Sequence, residues 1–423
     1  MIAIMPASDD AQYCHVDHSV LPLAAQRASV FHVGQYSMQI TVSGGSEFSA
    51  NQHAALFSLL LSFTATTTNA ASTTSPDIPL GTPEGFTAST IDSAGNGRYC
   101  ISGAVYDDSV PTMTAYALLV DATTHQVLWR LPIPLDRNFV GSSVDRCLSD
   151  GNAYYILSEE NSDNSPAVSQ ERVVINKVSA QGKLLRQQKI EAGLDEWSYF
   201  FDVGPSAITI GGGTSATLDH GGKFGNFLWQ FDSNLTRTRT TTLENGAFWL
   251  GSNAKLDGDH LLVSGQFMPN KGSSAGQEAY AVSKIDAGSS RYTWSKYLFP
   301  LDAQSVTSVF GPDGSTYVAG LTGPDLAVSE VDRTGKNVNS FAVKKPLCEI
   351  KALALDGHAL KAIGKSCTGK STSVIVAIDL VGKTAAVVSQ LNGEISAPQF
   401  DGQGWVGVVK TKGDQLVFRR TAQ

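Results

Sequence analysis

A repeated unit of short strands is the feature that most restricts how this chain can fold. From Phe86 onward, alternating apolar runs and turn-forming segments return about every 50 residues. The clearest unit predicts strands at Gly251–Leu256, His260–Phe267, Glu278–Ile285 and Arg291–Leu298, separated by polar, turn-rich segments. The chain has 40 glycines and only 17% charged residues, which suits strands and turns better than helices.

Each unit carries two landmarks. The second strand tends to end in small residues such as Ser264-Gly265, which we expect where strands crowd near a common axis. The third strand tends to end in an apolar residue followed by Asp, as in Ile285-Asp286, and the Asp side chain is suited to cap backbone N–H groups of a turn. Two units also match closely, 115–122 and 279–287. Self-similarity of this kind is typical of a β-propeller, in which neighbouring blades complete each other's core.

The predicted fold is therefore all-β, a β-propeller of about seven four-stranded blades. The blades are predicted at 86–135, 142–190, 197–243, 251–300, 304–344, 348–391 and 395–421. The last unit has only three strands, and Pro76–Leu80 can supply its missing outer strand, which would remove an open sheet edge. Six or eight blades remain possible, and tandem β-sandwiches are the alternative fold because they share the strand and turn pattern.

The N-terminal region differs from the repeats. Residues 1–70 are interpreted as an upstream segment plus a signal-peptide-like region, disordered or cleaved, and 76–423 as the propeller domain. The apolar run 54–65 is shorter than the about 20 residues that span a bilayer, and small residues follow it at 68–70. Translation starting at Met38 would place this run near the N-terminus. A buried core helix is the alternative, but we expect a periplasmic or secreted protein without a transmembrane span.

The cysteines support export. Cys348 opens one predicted strand and Cys367 closes the next, so an antiparallel hairpin would set them face to face. Cys100 and Cys147 lie in successive units at what should be the same end of the fold. Two disulfides are therefore predicted for an oxidising compartment, and four buried free thiols are the alternative.

The repeats resemble bacterial exported propeller repeats of the quinoprotein-like kind. The resemblance rests on an Asp-led turn that ends in Gly in some units, such as Gly182 and Gly335, and on an outer-strand Trp at Trp129 and Trp294. It implies a propeller from about residue 80 to the end. The quinoprotein dehydrogenases also require a pair of adjacent cysteines, which this sequence lacks, so we expect no quinone and no other cofactor.

Two patterns known from catalytic sites occur in the sequence, but in a different context. Residues 272–276 match Gly-x-Ser-x-Gly and residues 364–371 match the Walker-type pattern, yet each lies where one predicted strand leads into the next, whereas both motifs require a turn that opens a helix. No metal site is predicted. The net charge of −8 gives no reason to expect nucleic acid as a partner. His220, beside Asp219 in a long loop, is the best-placed candidate for a site. The acidic pairs Asp107-Asp108 and Glu159-Glu160 could bind a cation or share a proton, although exposed loop residues are the simpler interpretation of all of these.

Longer loops and aromatic residues gather on one face of the early blades. Loops between second and third strands lie on the same face as the links between blades, and they are long in the first four units. Aromatic anchors with a polar rim are typical of binding sites. The predicted partner-binding residues are Trp197, Trp249, Phe248, Asp195, Glu196, Arg137, Asp219 and His220.

These observations predict a monomeric binding module for a protein or glycan partner. The alternative for Trp197 and Trp249 is that they are core residues of inner strands. Two other functions remain open: a hydrolase or lyase with its site in the central funnel, and a periplasmic inhibitor of a secreted toxin or enzyme.

Overall fold

The structure is a computed structural model that describes residues 31–33, 36–38, 76–107, 112–162, 170–215, 223–243, 246–249, 252–270, 279–286, 288–289, 291–299, 303–357, 359–367 and 372–421. The chain divides into two compact units, Met1–Asn69 and Ala70–Gln423. In the first unit, β1 (Phe31–Val33) pairs antiparallel with β2 (Tyr36–Met38). The predicted signal-like run lies outside the described residues, and the predicted domain boundaries stay a prediction.

The second unit is a ring of seven antiparallel sheets, so the predicted seven-bladed propeller is confirmed. The first strand of the second unit is β3 (Ile78–Pro79). Blade 1 consists of β4 (Phe86–Gly95), β5 (Arg98–Asp107), β6 (Thr112–Asp121) and β7 (Gln126–Pro132). Blade 2 consists of β8 (Gly141–Ser149), β9 (Ala153–Asn161), β10 (Glu171–Ser179) and β11 (Leu184–Lys189). Blade 3 consists of β12 (Asp195–Val203), β13 (Ile208–Ser215), β14 (Phe224–Phe231) and β15 (Arg237–Leu243).

Blades 4 to 7 continue the same order, with the inner strand of blade 4 divided in two. Blade 4 consists of β16 (Ala247–Phe248), β17 (Asn253–Asp257), β18 (His260–Met268), β19 (Ala279–Asp286) and β20 (Arg291–Phe299). Blade 5 consists of β21 (Gln304–Phe310), β22 (Thr316–Thr322), β23 (Asp325–Val331) and β24 (Val338–Lys344), and blade 6 of β25 (Glu349–Asp356), β26 (Ala359–Lys365), β27 (Ser373–Asp379) and β28 (Thr384–Leu391). Blade 7 contains β29 (Ile395–Phe400), β30 (Trp405–Lys410) and β31 (Leu416–Arg420).

The first strand of each blade is innermost, because these strands contact one another around the ring. One face of the ring carries the connections between blades and the loops between second and third strands, and we call it the link face. The opposite face carries the remaining hairpin turns, and we call it the turn face. The link face is where the sequence placed the binding surface.

Strand β3 closes the ring as predicted, by pairing with β31 as the outer strand of blade 7. Ile78 lies opposite Phe418, and the guanidinium of Arg419 donates two hydrogen bonds to the carboxylate of Asp77, at 2.8 and 2.6 Å. Arg130 of blade 1 donates a hydrogen bond of 2.8 Å to the carbonyl oxygen of Leu80. These contacts join the two ends of the ring and leave β31 paired.

Side chains alternate between two neighbouring seams, and each seam holds an apolar cluster. In β5, Ile101 packs toward blade 7, whereas Cys100 packs toward blade 2. Strand β13 is buried along its whole length, because both faces of its sheet are covered by other blades. The core is thus distributed around the ring.

The glycines near the end of the second strands lie close to the inner strand of the same blade. A Cβ at Gly103, Gly212 or Gly364 would lie 2.0, 2.1 or 1.8 Å from a carbonyl oxygen of that strand. In each of these three cases the register of the inner strand shifts at that point, which marks a β-bulge. These three glycines therefore make room for a bulge in the inner strand.

The predicted turn chemistry is present. The Asp121 side chain accepts hydrogen bonds from the N–H groups of Thr123 and Thr124 at 2.9 and 3.0 Å, and Asp332 caps its turn in the same way. The outer-strand Trp129 is 7% exposed, and a Cβ at Gly182 in the next blade's turn would lie 2.6 Å from it. The turn glycine thus provides the space into which the tryptophan packs.

Both predicted cysteine pairs are at bonding distance. Cys100–Cys147 joins β5 to β8 across the seam between blades 1 and 2, with the Cα atoms 5.8 Å apart. Cys348–Cys367 joins the two ends of a hairpin in blade 6, with the Cα atoms 5.0 Å apart. Across the described ranges, no helix is long and apolar enough to cross a membrane.

Replacing a bulge-facing glycine should destabilise the ring. In Gly364→Ala the new Cβ would lie 1.8 Å from the carbonyl oxygen of Glu349, so the inner strand must shift. We expect the free energy of unfolding in urea to fall by about 1–3 kcal/mol. Gly413→Ala is the control, because a Cβ there meets nothing within 4 Å, and it should change the value by less than about 0.5 kcal/mol. Equal effects of the two substitutions would contradict the bulge explanation.

Candidate functional site

Two of the predicted aromatic residues are core residues at the seam between blades 3 and 4. Trp197 is 4% exposed and Phe248 is fully buried. The indole Nε1 of Trp197 donates a hydrogen bond of 2.6 Å to the carbonyl oxygen of Phe248, and its ring lies 6.5 Å from that of Phe224. Their side chains therefore hold the seam together and offer no surface to a partner, as the core alternative predicted for Trp197.

Trp249 lies at the edge of this aromatic packing. Its ring is 6.3 Å from that of Trp197, and its backbone N–H donates a hydrogen bond of 2.8 Å to Gln266. Because Trp249 is only partly buried, it keeps some accessible surface on the link face. It is the predicted aromatic residue that can still meet a partner.

The two predicted acidic residues of β12 are buried. The Asp195 carboxylate accepts a hydrogen bond of 2.6 Å from the backbone N–H of Glu171, and the Glu196 carboxylate accepts one of 2.7 Å from Gly193. Burial raises the pKa of Glu196 to about 7 despite these amide contacts. Both side chains thus act within the seam between blades 2 and 3, beneath the surface.

The remaining predicted residues divide into two groups. Arg137 is exposed on the link between blades 1 and 2. Asp219 and His220 lie outside the described residues, so their predicted role stays a prediction. Among the described residues, no group of three His, Cys, Asp or Glu side chains is arranged to hold a metal ion.

A pair of carboxyl groups lies between blades 2 and 3; Glu159 belongs to an acidic pair noted in the sequence, whereas its partner Asp145 was not singled out. Asp145 occupies the bulge of β8, and Glu159 lies on β9. The two side chains are hydrogen-bonded to each other, the Ser198 hydroxyl donates to Asp145 at 2.7 Å, and the Ser198 N–H donates to Glu159 at 2.6 Å. We call Asp145 and Glu159 the carboxyl pair. Both are half-buried.

Burial of the carboxyl pair favours its protonated form. Burial raises the pKa of Asp145, and burial together with the charge of Asp145 raises the pKa of Glu159 well above its usual range. Burial and the charges of Asp195 and Asp145 raise the pKa of Glu171 to about 7. Two carboxyl groups that share a proton are an arrangement used in acid–base catalysis, although structural pairs also occur.

The link beside this pair is held in place by a partly buried arginine. Arg172 forms ion pairs with Glu160 and Asp136, the latter at 3.2 Å, and its guanidinium lies 4.0 Å from the centre of the Phe139 ring. The hydrogen bond from Lys189 to Asp136, at 2.6 Å, lowers the pKa of that carboxyl group. Glu160 is therefore a structural ion-pair partner, although it is adjacent to Glu159 in sequence.

Four large apolar side chains are exposed on the link face of blades 1 to 3. We call them the apolar patch: Tyr106 (48% exposed), Met113 (38%), Val140 (36%) and Leu194 (47%). Tyr106 and Met113 are opposite each other on β5 and β6, and the other two lie in the links that enter blades 2 and 3. Sequence reasoning chose this face but missed these residues, because apolar character alone does not distinguish exposed from buried positions.

No family model matches the chain, and no curated protein matches it. Solved structures resemble it in fold. They include the propeller domain of the trilobed protease from Pyrococcus furiosus (11% identity, 78% of this chain and 92% of that one, TM-score 0.45) and a protein from Lactobacillus plantarum (12% identity, 73% and 85%, TM-score 0.47). The WD40 domain of SCAP from fission yeast is a third (11% identity, 82% and 95%, TM-score 0.39). These likenesses concern the fold alone and carry no argument about function.

The raised pKa values predict how stability depends on pH. A carboxyl group whose pKa is higher in the folded than in the unfolded state stabilises the fold at low pH, and this stabilisation is lost as pH rises through the folded pKa. The pKa of Glu171 rises from 4.5 to about 7, and Glu159 shifts in the same direction. The free energy of unfolding should therefore fall as pH rises from 5 to 8. For each carboxyl group that is protonated in the folded state and ionised in the unfolded state, the fall is at most about 1.4 kcal/mol per pH unit.

Glu159→Gln tests this assignment, because the amide keeps the shape of the side chain and does not titrate. We expect a shallower fall of the unfolding free energy between pH 5 and 8, measured in urea at several pH values. Asp259→Asn, at an exposed position in a hairpin turn of blade 4, should keep the wild-type slope. An unchanged slope in Glu159→Gln would contradict the shared-proton assignment.

Proposed function

We propose that this propeller is an interaction module that binds a protein partner through the link face of blades 1 to 3. The observation that carries the proposal is the apolar patch, four large apolar side chains exposed on three consecutive blades. Contiguous exposed apolar surface marks interaction sites in soluble proteins, and in this proposal the four side chains act together as one such surface. Trp249 and Arg137 extend the same face, with an aromatic ring and a charge of the types that are common in interfaces.

The patch is held on a rigid support. The N–H of Val140 donates a hydrogen bond of 2.9 Å to Asn161, and the N–H of Leu194 donates one of 3.0 Å to Ser215. The side chain of Gln170 donates a hydrogen bond of 2.9 Å to the carbonyl oxygen of Leu194. Because the backbone at these positions is already ordered, binding costs less conformational entropy than it would on a free loop.

A protein suits this patch better than a glycan does. Three of its four side chains are aliphatic, and aliphatic groups gain most by being covered with other apolar groups. The two disulfides support a periplasmic or secreted location for the partner as well, and an exported bacterial protein with quinoprotein-like repeats remains our interpretation of the chain. Inhibition of a secreted enzyme or toxin would be one form of this function.

Charges placed in the patch should abolish binding. In a Val140→Asp, Leu194→Asp double variant, the partner would have to bury two carboxylates, and we expect at least a tenfold loss of affinity. Val381→Asp is the matched control, because Val381 is 94% exposed in a hairpin turn of blade 6. The partner is first captured from the native cell envelope by cross-linking, and its affinity is then measured with both purified proteins.

Equal affinity of the double variant and the wild type would overturn the assignment of this face. If the captured partner is an enzyme whose activity falls on binding, the inhibitor form of the function is supported. If purified glycans bind and the double variant does not affect them, the protein-partner proposal fails.

The carboxyl pair favours a second candidate function, that of a hydrolase or lyase. Its two half-buried carboxyl groups are hydrogen-bonded to each other, and burial raises the pKa of both, which brings them closer to the range that suits general acid–base chemistry. We would measure turnover of esters, lactones and polysaccharides by the purified protein. Turnover that is lost in Asp145→Asn and kept in the patch variant would support this candidate, whereas a wild-type protein without turnover on all three classes would rule it out for them.

A further inference from the structure

A second and separate feature of the link face is a cleft between blades 7 and 1, where the ring closes. Its volume is about 990 Å³, within the range of pockets that hold small molecules or short peptides. The segment 81–85, which connects β3 to β4, forms one side of the cleft, and the loop between β30 and β31 also lines it. None of the four apolar patch residues lines the cleft, although the backbone N–H of Tyr106 donates a hydrogen bond of 3.1 Å to the carbonyl oxygen of Gly85 at its edge.

Part of the cleft surface is apolar. Phe86, Ala88 and Val408 lie behind its wall as buried members of the apolar cluster that joins blades 7 and 1. The accessible apolar surface comes from Leu416, which is partly buried against this cluster, and from Pro83, which is exposed. An aliphatic chain lying on Leu416 and Pro83 would cover apolar surface without disturbing the fold.

The charged groups of the cleft leave one carboxylate without a partner. Glu394 is engaged by Lys351 at 2.7 Å, and the Asp414 carboxylate lies 2.9 Å from the ammonium group of Lys410. Glu84 is exposed and, within the part of the chain that the structure describes, makes no hydrogen bond or ion pair. With three carboxylates and one lysine among the lining residues, the cleft favours a cation.

We propose that this cleft binds a cationic ligand with an aliphatic stem, in which the charged head meets Glu84 and the stem lies on Leu416 and Pro83. Alkylammonium and alkylguanidinium groups have this chemistry. They occur in free polyamines and in the lysine and arginine side chains of peptides. A neutral ligand of the same shape would leave Glu84 without a partner, and an anion would be repelled by it.

The test measures binding by calorimetry with the full chain. The probes are capped arginine, an arginine-containing tripeptide, 1,5-diaminopentane and capped citrulline, which has nearly the shape of arginine without its charge. We expect the cations to bind and citrulline to bind at least tenfold more weakly. Glu84→Gln should weaken cation binding by about tenfold or more, and Glu191→Gln, an equal change of charge elsewhere on the link face, should leave it unchanged.

A steric variant gives an independent readout. Thr87 is exposed and lines the cleft, so Thr87→Trp should fill it and abolish binding while the unfolding midpoint stays close to that of the wild type. Tighter binding of the tripeptide than of diaminopentane would identify a peptide as the source of the cation, and the reverse order would identify a free amine.

Three results would overturn the proposal: equal affinity for arginine and citrulline, unchanged affinity in Glu84→Gln, or no binding of any cation at millimolar concentration. The proposal is independent of the function assigned to the apolar patch. The Val140→Asp, Leu194→Asp variant should bind the cations as the wild type does, so that failure of one proposal can be distinguished from failure of the other.

Discussion

Apolar packing between neighbouring blades is the constraint on which the rest of the structure depends. A four-stranded sheet with two apolar faces cannot shield both from water by itself, so each blade requires a neighbour on either side. The alternation is visible in single strands: Ile101 serves the seam toward blade 7, and Cys100 serves the seam toward blade 2. The last seam exists only if the chain ends meet, and for this reason Ile78 of the short strand β3 belongs to the same cluster as Phe418. The strand closes a gap that would otherwise expose the core of two blades.

The features that could be predicted from the sequence are those set by local chemistry. An Asp after the third strand caps its own turn, so Asp332 indicates where that turn begins regardless of the rest of the ring. Cys348 and Cys367 face each other because they lie at the two ends of one hairpin. The seven units and the closing strand followed from counting such signals along the chain. Each requires only the residues within one blade, or the observation that one blade lacks a strand.

The candidate site depended on contacts between blades, and a single sequence does not show these. Trp197 lies near the start of the inner strand β12, and tryptophan is a residue type that is common in binding sites. Its side chain, however, reaches across to the next blade, where it donates a hydrogen bond to Phe248 and is buried. Asp145 has nothing unusual around it in sequence. The bulge in β8 gives it Glu159 and Ser198 as hydrogen-bond partners. Three glycines of the second strands lie opposite such bulges. The sequence shows the glycines, but the reason for them depends on the conformation of the inner strand opposite.

The two candidate sites of this ring lie where the packing of a seam departs from the apolar packing of the other seams. Between blades 2 and 3 the bulge adds a carboxyl pair to a seam that also holds Asp195 and Glu196, and between blades 7 and 1 the closing segment leaves a cleft with Glu84 at its surface. The raised pKa values of the half-buried pair make stability depend on pH, whereas an open cleft with an exposed carboxylate makes affinity depend on ligand charge. The two lie on different seams with separate apolar clusters, so changes at one should add to changes at the other without coupling. A propeller built from near-repeats can therefore carry two distinct sites, because each seam is closed by its own side chains.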